Sequence, residues 1–228
     1  MTQEFTFAQS NEGFDNHIKN SIRGYEDLWN DILKISEYFV EDETNVYDLG
    51  CSTGKLLRAM HDANRKYTQL TSWHGIEIEP SFQQQFLDQT PKDLYKYVHF
   101  DLEDVRYALL NNASLITSIF TLQFMPRKDR AEMIADIYEA LNPGGGFVFA
   151  EKTYSEFGLI NDIRTFTHYD FKRASFTYDE IMEKEKKLRS MMRLNTDWEL
   201  IEMCQKAGFQ MVETFWQNHG FIGFIAVK

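Results

Sequence analysis

Between residues 15 and 40 the apolar positions recur every three to four residues: Ile18, Ile22, Tyr25, Leu28, Trp29, Ile32, Leu33, Ile35 and Phe39. That period places them on one helical face. Gly24 predicts a break into two helices. Residues 1–15 read as a polar lead-in with scattered Phe, and the acidic stretch 41–44 as a turn. Beyond it the rhythm changes to short apolar runs alternating with helical segments. Strands are predicted at 45–49, 72–78, 97–100, 115–120 and 146–150, and helices at 55–64, 81–87, 104–110 and 127–141. Asn142-Pro143-Gly144-Gly145 stops the last helix and turns the chain. Such βαβ spacing predicts a parallel sheet with helices on both faces.

Residues 151–197 interrupt the alternation with a charged, aromatic-rich helical stretch. A helix follows from Thr196 to Lys206, capped by Ala207-Gly208. Two strand-like runs, 210–216 and 221–227, are then joined by Asn218-His219-Gly220, a hairpin signal. The expected organisation is a helical cap over residues 1–44 and an α/β domain over 45–228. An insertion at about 155–195 is expected to cover the active edge of the sheet. Trp29, Trp73, Trp198 and Trp216 read as core.

Composition narrows the function. The chain has 24 Lys and Arg against 35 Asp and Glu, a formal charge of −11 over 228 residues. No basic face for direct nucleic-acid binding is expected. Small anionic substrates remain open, held by a few local cations. Two cysteines, Cys51 and Cys204, make no disulfide framework, and no metal-ligand spacing is visible among His, Asp and Glu. No run approaches the ~20 apolar residues of a membrane span, so a reducing, cytoplasmic setting is expected.

The most informative stretch is Val46-Tyr47-Asp48-Leu49-Gly50-Cys51-Ser52-Thr53-Gly54, a strand ending in an acid, then a small-residue turn opening a helix. Gly50 allows a ligand close to the backbone, and Gly54 lets helix and strand approach. The next strand ends at Glu77, suited to ribose hydroxyls. A dinucleotide site is one reading, but Ser52 replaces the second glycine of G-x-G-x-x-G, and Asp48 would repel a pyrophosphate. A hydrolase elbow is another, since Gly50-Cys51-Ser52-Thr53-Gly54 fits G-x-S-x-G and Ser52, Asp101 and His219 follow in triad order. S-adenosylmethionine is the third. Its amine and sulfonium are cationic, it has a ribose, and it has no phosphate.

Asp48-Leu49-Gly50-Cys51-x-x-Gly54 resembles motif I of the class I S-adenosylmethionine-dependent methyltransferases. More narrowly, the chain resembles the carboxy-S-adenosylmethionine synthase family. The stretches that carry this are Ser21-Ile22-Arg23-Gly24-Tyr25, Tyr47-Asp48-Leu49-Gly50-Cys51-Ser52, Phe120-Thr121-Leu122-Gln123-Phe124, Leu141-Asn142-Pro143-Gly144-Gly145, Glu151-Lys152 and Asp170-Phe171-Lys172-Arg173-Ala174. The resemblance implies a Rossmann-like, class I methyltransferase-like seven-stranded sheet with a C-terminal antiparallel hairpin. It implies conversion of S-adenosylmethionine and prephenate into carboxy-S-adenosylmethionine and phenylpyruvate. It also implies a homodimer and a product used by a partner enzyme on the wobble uridine of transfer RNA.

By the same resemblance Tyr25 reaches over the cofactor from the cap, Asp48, Gly50, Ser52 and Gly54 form the cofactor turn, and Asp101 and Leu102 lie near the adenine. Glu77-Ile78 stands where the family has Asp-Asn, and Ile119 where it has asparagine. The family's carboxylate-clamping arginine falls at Glu185 or Lys186, with Arg189 one turn on. Lys186, Arg189 and Arg173 are therefore the candidate carboxylate ligands, with Lys172 and Arg23 as further cations for an anionic substrate. No catalytic residue is assigned. His168 and His219 read as ordinary histidines, and Cys51 as a packing residue. Without a working clamp the scaffold fits an ordinary methyltransferase on another acceptor, or a non-catalytic binder of S-adenosylmethionine or its carboxylated form.

Overall fold

Residues 13–228 are described by the computed structural model, so of the lead-in expected over residues 1–15 the first twelve residues lie outside the described residues, while Phe14 and Asp15 already belong to the first helix. Gly24 adopts a left-handed conformation (φ 73°), which ends α1 (Phe14–Ser21) and starts α2 (Tyr25–Phe39). The alternating part follows as β1 (Asn45–Leu49), α3 (Lys55–Asn64), β2 (Ser72–Glu77), α4 (Gln83–Gln89), β3 (Val98–Leu102), β4 (Ala113–Ile119), α5 (Arg127–Ala140) and β5 (Leu141–Lys152). Two inserted helices, α6 (Gly158–Lys172) and α7 (Tyr178–Met191), precede α8 (Asp197–Ala207), β6 (Met211–Asn218) and β7 (Phe221–Val227).

The seven strands form one sheet in the order β3-β2-β1-β4-β5-β7-β6. β1 to β5 pair in parallel, and β7 is antiparallel to both β5 and β6. Helices cover both faces, which is why the central strands read as unbroken apolar runs rather than alternation. On one face Ile116, Phe147, Phe149 and Phe224 pack with α5 and α8. On the other, Val46, Trp73, Leu115 and Val148 pack with α2 and α3. Strand order reverses between β1 and β4, and the crevice at their carboxyl ends is where such sheets bind ligands.

The helix expected at 104–110 is absent. Asp104 Oδ1 accepts from the Arg106 backbone N–H at 3.0 Å, and the Arg106 guanidinium bridges Asp104 and Asp129. This local side-chain pairing offers the backbone a turn in place of a helix. Trp73 and Trp216 are core and Trp29 is half-buried, but Trp198 in the first turn of α8 is 52% exposed. No described helix is long and apolar enough to cross a membrane.

The loop after β4 is fixed from behind by Arg130 of α5, which is 1% exposed. Its guanidinium donates to the carbonyls of Gln123 and Met125 and to Asn195 ahead of α8. Arg130→Met strips several buried acceptors of their donors. It should lower the unfolding free energy by roughly 3 kcal/mol or more. Urea denaturation with an unchanged m-value would register the loss.

Candidate active site

A cavity of about 420 Å³ opens at the crevice. Gly50, Ser52, Glu77, Ile78 and Ile119 form its sheet side, and Phe14, His17 and Ile18 of α1 roof it. The turn after β1 is built for close approach. Gly50 has φ 76°, and a Cβ there would lie 2.3 Å from Thr121 Oγ1. Gly54 has φ 70°, and its Cβ would lie 2.2 Å from the Phe86 ring. Ser52 is also left-handed at φ 49°. Its strained backbone is held because its N–H donates to Glu77 Oε2 at 2.9 Å.

Carboxylates gather at and under this turn. Asp48 is 3% exposed and accepts from Thr117 Oγ1 at 2.7 Å. Burial pushes its carboxyl up to about 7, and the neighbouring Glu77 charge adds to this. Burial also raises Glu77, against the backbone donors of Ser52, Glu79 and Ile78. Tyr25 stacks toward Phe120 at 6.5 Å, and its phenol is raised by burial and by the nearby Asp15 and Asp48. Cys51 is buried and its thiol is pushed well up, so it is a packing residue rather than a thiolate.

The opposite end of the cavity is cationic. Lys152, Lys172 and Lys184 line it with one acid, Glu185. Glu185 lies 3.6 Å from Lys152 and 3.7 Å from Lys172. Lys172 is 3% exposed, and burial lowers its ammonium. Burial and Lys172 bring Lys184 down to about 8, and it hydrogen-bonds His17. Burial holds His17 at about 4, so it is the neutral acceptor of that bond at pH 7. His168 also lines this end, is held near 3 by burial and the neighbouring lysines, and packs on Phe221 at 5.2 Å.

The sequence candidates divide. Gly50, Ser52, Glu77, Ile78 and Ile119 line the cavity, while Asp48, Gly54 and Tyr25 support it from beneath and beside. Ile78 (64% exposed) and Leu102 (48% exposed) stand open at the ends of β2 and β3. Asp101 turns back to His74 Nδ1 at 3.0 Å, and this bond lowers its carboxyl. His74 itself is held by Ser72 Oγ at 3.0 Å and by stacking against Tyr47 and His99. Asp101 is thus joined to His74 and not to His219, which sits in the β6–β7 turn, so the triad of the elbow reading is not assembled.

Lys186 and Arg189 line a second, adjoining cavity, and Arg173 lies outside both, its guanidinium over Tyr178 at 4.5 Å. Arg23 is exposed. Lys184 and Glu185 fall in the charged helical stretch read over 151–197, but such a stretch does not say which side of α7 faces inward. Among the described residues no group of three or more His, Cys, Asp or Glu is placed to hold a metal ion.

Asp48 sets a pH dependence with a definite sign. Its pKa rises from an ordinary 3.8 to about 7 on folding, so the native state holds the extra proton. Stability of the ligand-free protein is therefore lost as pH rises from about 4 to 7, by on the order of 3–4 kcal/mol from this group. Asp48→Asn should flatten that slope in denaturation series across the window. It should also weaken any cationic ligand of the turn.

Known proteins agree with this architecture. A methyltransferase-domain family model matches residues 46–145. The human N-acetylserotonin methyltransferase, solved with S-adenosylmethionine, superposes with a TM-score of 0.58 at 15% identity, covering 88% of this chain and 51% of that one. A possible exported protein from Bordetella parapertussis superposes with a TM-score of 0.68 at 13% identity, covering 100% and 76%. At such identities these share the fold alone. Sequence relatives are nearer. The carboxy-S-adenosyl-L-methionine synthase of Staphylococcus epidermidis is 33% identical over 225 residues, 98% of this chain and 96% of that protein. That of Actinobacillus pleuropneumoniae serotype 5b is 32% identical over 232 residues, covering 99% and 94%. Likeness at this level over nearly the whole length of both partners places the chain in the carboxy-S-adenosyl-L-methionine synthase family.

Proposed function

We propose that this protein binds S-adenosylmethionine in the 420 Å³ cavity and carboxylates it with the carboxyl group of prephenate. The observation that carries the reading is the unlike chemistry of the two ends of one cavity, carboxyl groups at and under the glycine turn and lysine ammonium groups at the other. Asp48 and Glu77 at the glycine turn suit a ligand with a cationic amine, a sulfonium and a ribose. Lys152, Lys172 and Lys184 suit a carboxylate, either arriving or already transferred. Ile78 and Leu102, apolar and open at neighbouring strand ends, suit the faces of an adenine, and Asp101 would reach its edge with the oxygen left free by His74.

In this reaction prephenate loses its ring carboxylate as carbon dioxide and its ring hydroxyl as hydroxide, and its ring becomes aromatic. The hydroxide takes a proton from the sulfonium methyl, giving water, and the methyl carbon forms its new bond to carbon dioxide. The products are carboxy-S-adenosylmethionine, phenylpyruvate and water. The protein's part is to hold the pair together and keep water out. The lysines neutralise a carboxylate in an apolar enclosure made by Phe120, Phe124, Leu188 and Phe221. The product serves a partner enzyme acting on transfer RNA in the cytoplasm. The protein works as a homodimer joined through α6, whose Leu159, Ile163 and Phe166 are 71%, 52% and 65% exposed at i, i+4 and i+7 spacing.

A second reading, methyl transfer to another acceptor, is favoured by one feature. Glu185 places a negative charge among the lysines. Incubation with S-adenosylmethionine and prephenate separates the two. Mass spectrometry should find a cofactor heavier by one carboxylate, formed only when prephenate is present, and its absence would leave methyl transfer standing. Lys172→Met should cut kcat/KM for prephenate about 10–100-fold, the worth of one charge-assisted hydrogen bond. Glu185→Gln should act oppositely and tighten binding of the carboxylated cofactor, as titration calorimetry would show.

A further inference from the structure

Behind the lysine end lies the second cavity, of about 800 Å³, enclosed by α6, α7 and the strand ends of β5 and β7. The two cavities share Lys152, His168, Glu185, Met192 and Phe221, so these side chains form a common partition. Six cations line the second cavity in a chain of net charge −11. Three are already engaged. Arg127 pairs with Glu199, Lys152 with Glu185, and Arg193 donates to carbonyls of its own helix end. The other three, Arg164 of α6 and Lys186 and Arg189 of α7, make no ion pair among the described residues. The acids on the same walls are Asp162 and the engaged Glu185. Tyr154 and Tyr169 supply flat apolar surface between the charges.

Unpaired cations held around one concave space, in an acidic protein, create a local potential that attracts anions. The first cavity is the one proposed above for S-adenosylmethionine, and the second adjoins its lysine end through the shared partition, which gives a second reactant a place beside the first. We propose that the second cavity is the binding site of the carboxyl donor, an organic diacid, whose retained acid group is anchored by Arg164, Lys186 and Arg189. The diacid's other carboxylate, the one to be transferred, then meets Lys152 at the partition and passes to the lysine end of the cofactor cavity. This assignment rests on the function proposed above and adds to it where the donor lies and what holds it. It also gives the clamp candidates Lys186 and Arg189 a different role, on the donor rather than on the cofactor.

The test is a comparison of two ligands and two sets of variants, by titration calorimetry on protein saturated with S-adenosylhomocysteine. Prephenate carries both carboxylates, whereas phenylpyruvate carries only the retained one. In the double variant Lys186→Met/Arg189→Met, both ligands should bind at least 10-fold more weakly, while affinity for S-adenosylmethionine stays unchanged. In Lys172→Met, prephenate alone should weaken. A double variant that binds both acids as the unmodified protein does would overturn the assignment and put the donor wholly in the first cavity. Failure of the unmodified protein to bind either acid would overturn it too. Turnover, read in parallel, separates the two claims. If the binding pattern holds without carboxylation, the proposed reaction fails and the site stands; if carboxylation proceeds with an unaffected double variant, only the site assignment fails.

Discussion

Two strand-end glutamates hold the loops from which the cavity is made. Glu77, at the end of β2, accepts from the backbone N–H groups of Ser52 and Glu79, both at 2.9 Å. Glu151, near the end of β5, accepts from Leu122 and Gln123, again at 2.9 Å each. Each carboxylate thus reaches across to the loop that leaves the neighbouring strand, and the two lie on either side of the crevice between β1 and β4. Burial raises both carboxyls, Glu151 to about 8. The backbone donors offset part of that cost and limit the rise. Arg130 completes the frame by tying off the carbonyls of the same β4 loop. With its loops fixed by buried hydrogen bonds, the cavity can present backbone and small residues to a ligand without reorganising when it binds.

The fold was largely legible because its signals are local and periodic. β1, α3 and β7 fall where the alternation of strand and helix patterns places them, residue for residue. The one missing helix, over residues 104–110, failed for a reason invisible to periodicity: Asp104 found a partner in Arg106 and a second link in Asp129, and the turn won. Trp198 shows the same limit, since composition suggests core while its place in the first turn of α8 leaves it in solvent.

The cavity's lining was legible in the sequence at the glycine turn and less so at its lysine end. Gly50 and Gly54 signal themselves because positive φ and a forbidden Cβ leave few alternatives to glycine. A lysine carries no such mark. Lys172, Lys184, Lys186 and Arg189 all sit in charged helical sequence, and only the rotation of α6 and α7 decides which cavity each one faces. That rotation is set by Ile181, 1% exposed, and by the capping box of Thr177 and Glu180 that fixes where α7 begins.

The placement of charge follows a single logic across both cavities. A protein of net charge −11 repels anions at long range, yet screening confines that repulsion to roughly 10 Å at ordinary ionic strength. Inside the crevice the local groups decide. Lys172 at 3% exposed would be costly alone, and Glu185 lies close enough to both Lys172 and Lys152 to keep the cluster from being three bare charges. The same arrangement leaves the cluster with more positive than negative charge, so an incoming carboxylate completes the neutralisation that Glu185 begins. His17 and His168, both held neutral at pH 7, add polar surface to this end without adding to the repulsion among the lysines. A ligand that brings a sulfonium to the acidic end and a carboxylate to the basic end therefore relieves both local imbalances at once. A plain sulfonium relieves only one, which is the physical ground for the proposed binding of the carboxylated form.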